Sequence, residues 1–254
     1  MNVLEAKNIT KTYGDLNTDN ETKALNGVDV AIKKGEFIAI MGPSGSGKST
    51  LINILSGILA PTCGTVTIEE KEIQSMDKYE IAVFRRRKLG FVFQEFNLLD
   101  HLTLAENVML PMVLDKRKKE EMITKAKEIM KIFRIDEIAN KYPYEISGGQ
   151  QQRVAVSRAL VNDPAIIFAD EPTGNLDSKS SNAVMQCFEK INNEQQVTVL
   201  MVTHDVFAAS FCKKVIFIKD GQIHMEVVRK GNRKEFFDHI LDCQAIVGGE
   251  NNDI

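Results

Sequence analysis

The sequence predicts an α/β fold: a parallel-sheet core, an antiparallel β subdomain ahead of it, and an inserted helical subdomain. Three observations lead there. Short apolar runs of strand character alternate with stretches of helical periodicity, as in a sheet flanked by helices. The first part of the chain instead alternates apolar and polar positions at 3–9 and 25–32, as half-buried antiparallel strands do. Between 95 and 164 the strand-like runs give way to mostly helical spacing.

Each element follows in order. The two alternating strands are separated by a polar, turn-rich segment at 14–22. Residues 37–41, FIAIM, read as a buried strand that runs directly into a glycine-rich loop. After the loop, Leu51, Ile54, Leu55 and Ile58 recur at helical spacing and mark one apolar face. Further buried strands are expected at 91–93, 166–169, 197–202 and 215–218. The last leads into Asp220-Gly221, a hairpin turn, and a partner strand from Gln222. In the helical insert, Met122, Ala126, Ile129, Met130 and Phe133 share a face. A main domain is thus expected over 1–224, with its helical subdomain at about 95–164. A C-terminal extension at 225–254 is amphipathic through Phe236, Phe237, Ile240 and Leu241 and ends in a polar tail.

Composition excludes several functions. With 32 Lys+Arg against 35 Asp+Glu the net charge is −3, so the chain is not built as an electrostatic nucleic-acid binder. No apolar run approaches the roughly twenty residues of a membrane helix, and the N-terminus lacks a signal peptide. Cys63, Cys187, Cys212 and Cys243 are too widely spaced for a compact zinc site or a disulfide framework. A soluble, reduced, cytoplasmic protein is expected. The basic runs 85–88 and 116–119 read as solvated surface, the first as a candidate for facing anionic lipid headgroups.

Three motifs carry chemistry. Gly42-Pro43-Ser44-Gly45-Ser46-Gly47-Lys48-Ser49 fits G-x-x-x-x-G-K-[ST] between a strand and a helix, and Thr50 follows it. Glycines let backbone N–H groups curl around phosphate, and the helix adds its dipole. Lys48 is expected on the β- and γ-phosphates, and Ser49 on Mg²⁺. Residues 166–169 end in Asp170 and Glu171, a buried strand delivering two acids at its C-terminal edge. There Asp170 is expected to hold Mg²⁺, and Glu171 to polarise the attacking water. The third motif is Ser147-Gly148-Gly149-Gln150-Gln151, in which Ser147 can cap a helix whose N–H groups face an anion.

The order Tyr13, phosphate loop, Gln94, 147–151, Asp170-Glu171, Asn175-Leu176-Asp177 and His204 resembles ABC-type ATPases over about residues 1–224. Ile146 stands where that family usually has Leu. The resemblance implies a P-loop NTPase (ABC ATPase) core that binds ATP with Mg²⁺ and hydrolyses it to ADP and phosphate. It implies two copies head to tail, with ATP between the phosphate loop of one and Ser147, Gly148, Gly149 and Gln150 of the other. By the same resemblance Tyr13 stacks on adenine, Gln94 senses Mg²⁺ and the lytic water, Asp177 communicates across the dimer, and His204 contacts the γ-phosphate. Ser49, Gln94 and Asp170 are the expected metal residues, and Lys48, Gln94, Glu171 and His204 the catalytic ones.

A family member of this kind drives a separate membrane permease. A groove edge at 95–104 would receive it, with Phe96, Leu98, Leu99 and Leu102 as its apolar surface. That places the protein in the cytoplasm, held at the inner face of the cell membrane by the permease, through which a sensor kinase is a further possible partner. The stretches GFVFQEFNLLDHLTLAENVMLP, ISGGQQQRVAVSRAL and FADEPTGNLDSKS resemble the branch that moves a permease mechanically. The stretches THDVFAASFCKKVIFIKDGQ and EFFDHILDCQAIVGG are most similar to its bacitracin-resistance (Bce-type) ATPases, which act by export or target protection. Asn175 is the residue of the lipoprotein-release and macrolide-efflux types instead. Those types and the cell-division ATPases are the first alternative. A soluble iron–sulfur-assembly ABC ATPase is the alternative of another class. A genome-maintenance ATPase would need a long coiled-coil insertion, and no sustained heptads occur.

Overall fold

Alternation, broken by bulges, buries Val3, Leu4, Ala6 and Ile9 of β1 (Asn2–Tyr13), which pairs with β2 (Thr22–Lys33), where Leu25, Val28, Val30 and Ile32 are also buried. β3 (Phe37–Met41) belongs to a different sheet. β1 and β2 continue through β4 (Cys63–Ile68) and β5 (Lys71–Glu72) into a four-stranded antiparallel sheet, ordered β2-β1-β4-β5. The computed structural model describes residues 1–14 and 21–248, so most of the expected turn segment, 15–20, and the tail, 249–254, lie outside the described residues.

The second sheet contains β3, β6 (Leu89–Val92), β7 (Ile166–Asp170), β8 (Val199–Val202), β9 (Lys214–Lys219) and β10 (Gln222–Val228). Its order is β10-β9-β3-β8-β7-β6, parallel except for the β9–β10 hairpin. All of β3 and β8 is buried, because layers cover both faces of the sheet. One face packs α1 (Lys48–Leu55) and the antiparallel sheet, and the other packs the helices that follow.

Those helices are α3 (Leu104–Leu114), α4 (Lys119–Ile132) and α5 (Gly148–Leu160) in the insert, then α6 (Ser178–Gln195), α7 (Val206–Ala209) and α8 (Arg233–Gly248). α2 (Lys78–Lys88) lies ahead of them and leads into β6. In α4, Ala126, Ile129 and Met130 are buried with Phe133, and Met122 packs against them in part.

Three expectations need correction. Ile58 is not on the face of α1: Ser56 and Gly57 end that helix, and Ile58 is 49% exposed while Ile52 is buried instead. Leu241 is likewise exposed, since α8 buries Phe236, Ile240, Cys243 and Val247 at helical spacing. The boundary expected at 224/225 falls inside β10, so the extension proper starts beyond Val228. The basic run 85–88 is surface at Arg87 and Lys88, as expected, and is also tied into the chain. Arg85 donates to the Gly57 carbonyl (2.6 Å), Arg86 and Arg87 pair with Asp115 (3.3 and 2.6 Å), and Lys88 pairs with Glu69 (2.8 Å).

Candidate functional site

β3, β8 and β7 are neighbours in one parallel sheet, so their C-terminal ends emerge side by side. The first ends in the phosphate loop, the last in Asp170, and Thr203-His204 follows β8. Two glycines allow the loop its path. A Cβ on Gly42 would collide with the Ile218 carbonyl, and one on left-handed Gly47 (φ 98°) with the Ala24 carbonyl. Because Gly47 is the residue before α1, no side chain caps that helix, and its first N–H groups are left without a side-chain partner.

Lys48 curls back over the loop and donates to the carbonyls of Gly42 (2.9 Å) and Pro43 (2.8 Å). Burial lowers its pKa, against the opposing pull of Glu171 and Asp170. Asp170 is shifted upward, first by burial and then by the charge of Glu171, with Lys48 acting the other way. One oxygen of Asp170 is buried with no hydrogen-bond partner, as is the hydroxyl of Ser46. An orphaned carboxylate oxygen at the end of a buried strand is a donor of the kind a hard divalent cation takes.

Glu171 takes a left-handed backbone conformation (φ 47°), unusual for its residue type and of the kind that clusters at functional sites. Its Oε1 lies 2.9 Å from Nδ1 of His204, which is itself 71% exposed at the edge of the sheet. Beside this pair opens a cleft of about 870 Å³ whose border includes Asn182, Phe207 and, from the extension, Phe237. Gln94 donates to the Asn175 side chain at 3.2 Å, and Asn175 donates back to the Gln94 carbonyl at 3.3 Å. Alanine at 175 could make neither bond.

Tyr13 is 43% exposed, its hydroxyl 3.5 Å from the Thr50 hydroxyl and its ring 5.3 Å from the Lys11 ammonium. An aromatic face is therefore offered beside the phosphate-loop helix. Ser147 caps α5: its hydroxyl accepts from the Gln150 N–H (3.4 Å), while the Gln150 side chain accepts from the Ser147 N–H (3.0 Å). Ile146 packs against the core, a role Leu would also fill. Asp177 caps α6, accepting from the N–H groups of Lys179 (2.9 Å) and Ser180 (3.0 Å), and the Ser180 hydroxyl and N–H hold its carboxyl below the usual range.

The structure thus gathers Lys48, Asp170, Glu171 and His204 at one edge, with Gln94 on Asn175 nearby. Ser147–Gln150 lie elsewhere. Gly148 faces Phe96 and Leu176, and among the described residues no hydrogen bond joins this segment to the phosphate loop.

Of the groove edge expected at 95–104, Leu99 is exposed and Asn97 reaches a groove beside it. A groove of about 340 Å³ between core and insert is walled by Phe91, Phe93, Leu110, Pro111 and Leu114, with Arg86 and Arg158 at its polar side. Neither Phe96, Leu98, Leu99 nor Leu102 lines it, since Phe96 turns toward Gly148 and Leu98 packs into the core. Sequence reasoning also missed Gln152, which is fully buried and donates to the carbonyls of Pro172 (2.7 Å) and Phe93 (3.4 Å). It falls on the buried stripe of α5 with Gly149, Val156 and Ala159, and a polar residue on such a stripe signals a hydrogen-bonding duty.

A family model described as ABC transporter matches residues 25–174. An uncharacterized ABC transporter ATP-binding protein of Bacillus subtilis is 49% identical over 250 residues, 98% of this chain and 96% of its own length. The bacitracin export ATP-binding protein BceA of Halalkalibacterium halodurans is 47% identical over 255 residues, covering 100% of both chains. Among solved structures, a dimeric ATP-binding cassette in a post-hydrolysis state bound to ADP and Pi matches with a TM-score of 0.81 at 45% identity. That match covers 90% of this chain and 99% of the other.

Proposed function

We propose that this chain, which belongs to the ABC transporter family and is an ATP-binding ATPase subunit, powers a separate permease in bacterial resistance to bacitracin-like antimicrobial peptides. The observation that carries this reading is the end-to-end match to a bacitracin export protein, against a solved cassette that matches a tenth less of the chain. The ATPase domain in this reading runs through β10, with the helical subdomain at about 95–164, and the extension is built on α8.

The mechanism follows from the strand ends. Hydrolysis is phosphoryl transfer to water, so the protein's task is positioning and charge stabilisation. Loop N–H groups and the start of α1 cradle the phosphates, and Lys48 leaves its loop carbonyls to meet them. Tyr13 supports the adenine. Glu171 accepts the proton of the attacking water, held in place by His204, which also reaches the γ-phosphate. Ser49, Asp170 and Gln94 would hold Mg²⁺, which when bound supplies charge neutralisation for the phosphates. The anion site at Ser147–Gln150 completes a second copy's nucleotide, with Asp177 at the same interface, and the dimeric form of the solved relative supports that assembly.

In this reading the permease docks in the groove walled by Phe93, Leu110 and Leu114, and the subunit sits on the cytoplasmic face of the membrane. A sensor kinase, reached through that permease, is the further partner of this reading. A second reading, lipoprotein release or macrolide efflux, draws support from the Asn175–Gln94 pair. One experiment separates them: tagged Glu171→Gln protein is purified with ATP from its own cells' solubilised membranes. A permease of about ten spans with one large extracellular domain is the expected companion. A four-span partner would move the assignment to the second reading, and no membrane partner at all to a soluble scaffold ATPase.

A further inference from the structure

The segment after Gln94 is wound against its preference. Phe96 (φ 59°) and Asn97 (φ 49°) are consecutive residues in the left-handed region, where L-amino acids normally occur singly. One side chain secures both. Arg158 donates through Nη1 to the Asn97 carbonyl at 2.5 Å and through Nη2 to the Phe96 carbonyl at 2.8 Å. Burial draws its guanidinium below the ordinary arginine range, and among the described residues no carboxylate pairs with it. A half-buried charge aimed at two carbonyls is costly unless the turn it holds matters.

The same helix holds the other side of Gln94. Gln152, on α5 ahead of Arg158, donates to the carbonyl of Phe93 and to that of Pro172, next after Glu171. Three carbonyls around Gln94, those of Phe93, Phe96 and Asn97, are therefore gripped from α5, the helix that Ser147 opens. Arg158 and Asn97 also line the groove between core and insert.

We propose that Arg158 is a positioning residue for hydrolysis: its guanidinium clamps the left-handed Phe96–Asn97 turn and so sets Gln94 at the nucleotide edge. The clamp makes the groove, the start of α5 and Gln94 parts of one linked element, and this rests on the reading that Gln94 faces the nucleotide. The planar fork of arginine suits two adjacent carbonyls, whereas the single ammonium of lysine cannot hold both in that geometry.

The test is steady-state ATPase of the purified subunit. Arg158→Lys should lower kcat about tenfold, since small misplacements near the chemistry are expensive, with the KM for ATP kept within about twofold. Adding Asn97→Gly should return kcat to within about threefold of wild type, because glycine adopts the left-handed turn unaided. An unchanged kcat in Arg158→Lys, or a loss that Asn97→Gly does not repair, overturns the clamp. Should Arg158→Lys fail to fold, Asn97→Val at this exposed position resists the turn from its other side. The same kcat loss at constant KM is then expected, and an unchanged kcat overturns the proposal. Gln94→Ala separates the two levels. Loss there with none in Arg158→Lys removes the clamp alone, while wild-type kcat in Gln94→Ala removes the site reading and the clamp with it.

Discussion

Two aspartates show how differently this chain treats a carboxylate. Asp115, where α3 meets α2, is 11% exposed and lies near three arginines: Arg87 at 2.6 Å, Arg86 at 3.3 Å and Arg117 at 3.9 Å. Asp170, at the end of β7, keeps one buried oxygen with no partner at all. Their pKa values move in opposite directions, Asp115 downward through its hydrogen bond from Arg87 and Asp170 upward through burial. A carboxylate that joins two subdomains is fully satisfied in the folded chain. One at the strand edge is left incomplete, for a ligand to finish.

The largest effects should fall at the incomplete edge. Glu171→Gln should reduce phosphate release by at least about a hundredfold, the scale of a lost general base, while ATP binding persists. A normal rate would take the base away from Glu171. Lys48→Ala should weaken ATP binding by roughly ten- to a hundredfold, as expected for a lost charge-assisted phosphate contact. Titration with a fluorescent ATP analogue measures it, and unchanged affinity would show that the lysine stays on its loop carbonyls.

The aspartates themselves give the sharper, smaller test, because amide replacement should move stability in opposite directions. Asp115→Asn should lower Tm at pH 7 by about 2–4 °C, roughly the effect of 1 kcal/mol in a chain this size. A depressed pKa contributes stability above the unfolded-state value, near 3.8 for Asp, and loses it as pH falls through the folded value. The gap between wild type and Asp115→Asn should therefore close on acidification below about pH 4. Asp170 has a raised pKa, so its ionisation favours the unfolded chain at neutral pH. Asp170→Asn should accordingly raise the nucleotide-free Tm by about 1–3 °C while removing Mg²⁺-dependent hydrolysis. Equal shifts of the same sign in thermal melts would erase the contrast.

Much of the incomplete edge was legible in the sequence. A buried strand, a glycine loop and a helix start are contiguous in 37–55, and 166–171 needs only its own apolar run to place two acids. The joins between subdomains were not legible, because they depend on partners far apart in the chain. The charges of 85–88 read as solvated surface, yet Arg87 also meets Asp115 28 residues later. α2 escaped notice because Phe84 is its only buried residue and an Asp77–Glu80 capping box does the rest. α6 carries Val184, Met185, Phe188 and Ile191 at helical spacing and could have been read, whereas the turn at Phe96–Asn97 has only Asn97, a residue that tolerates positive φ, to signal it. Ile58 and Leu241 show the remaining limit, that periodicity marks a face without marking where a helix stops or how wide its buried stripe is.

The central claim is that this edge is only half a site, completed by Ser147–Gln150 of a second copy. Light-scattering mass of purified Glu171→Gln protein tests it most directly, with ATP and Mg²⁺ in one run and ADP in the other. The account predicts twice the 28.5 kDa chain mass in ATP and a single chain in ADP. A single chain in ATP that still turns over would contradict it.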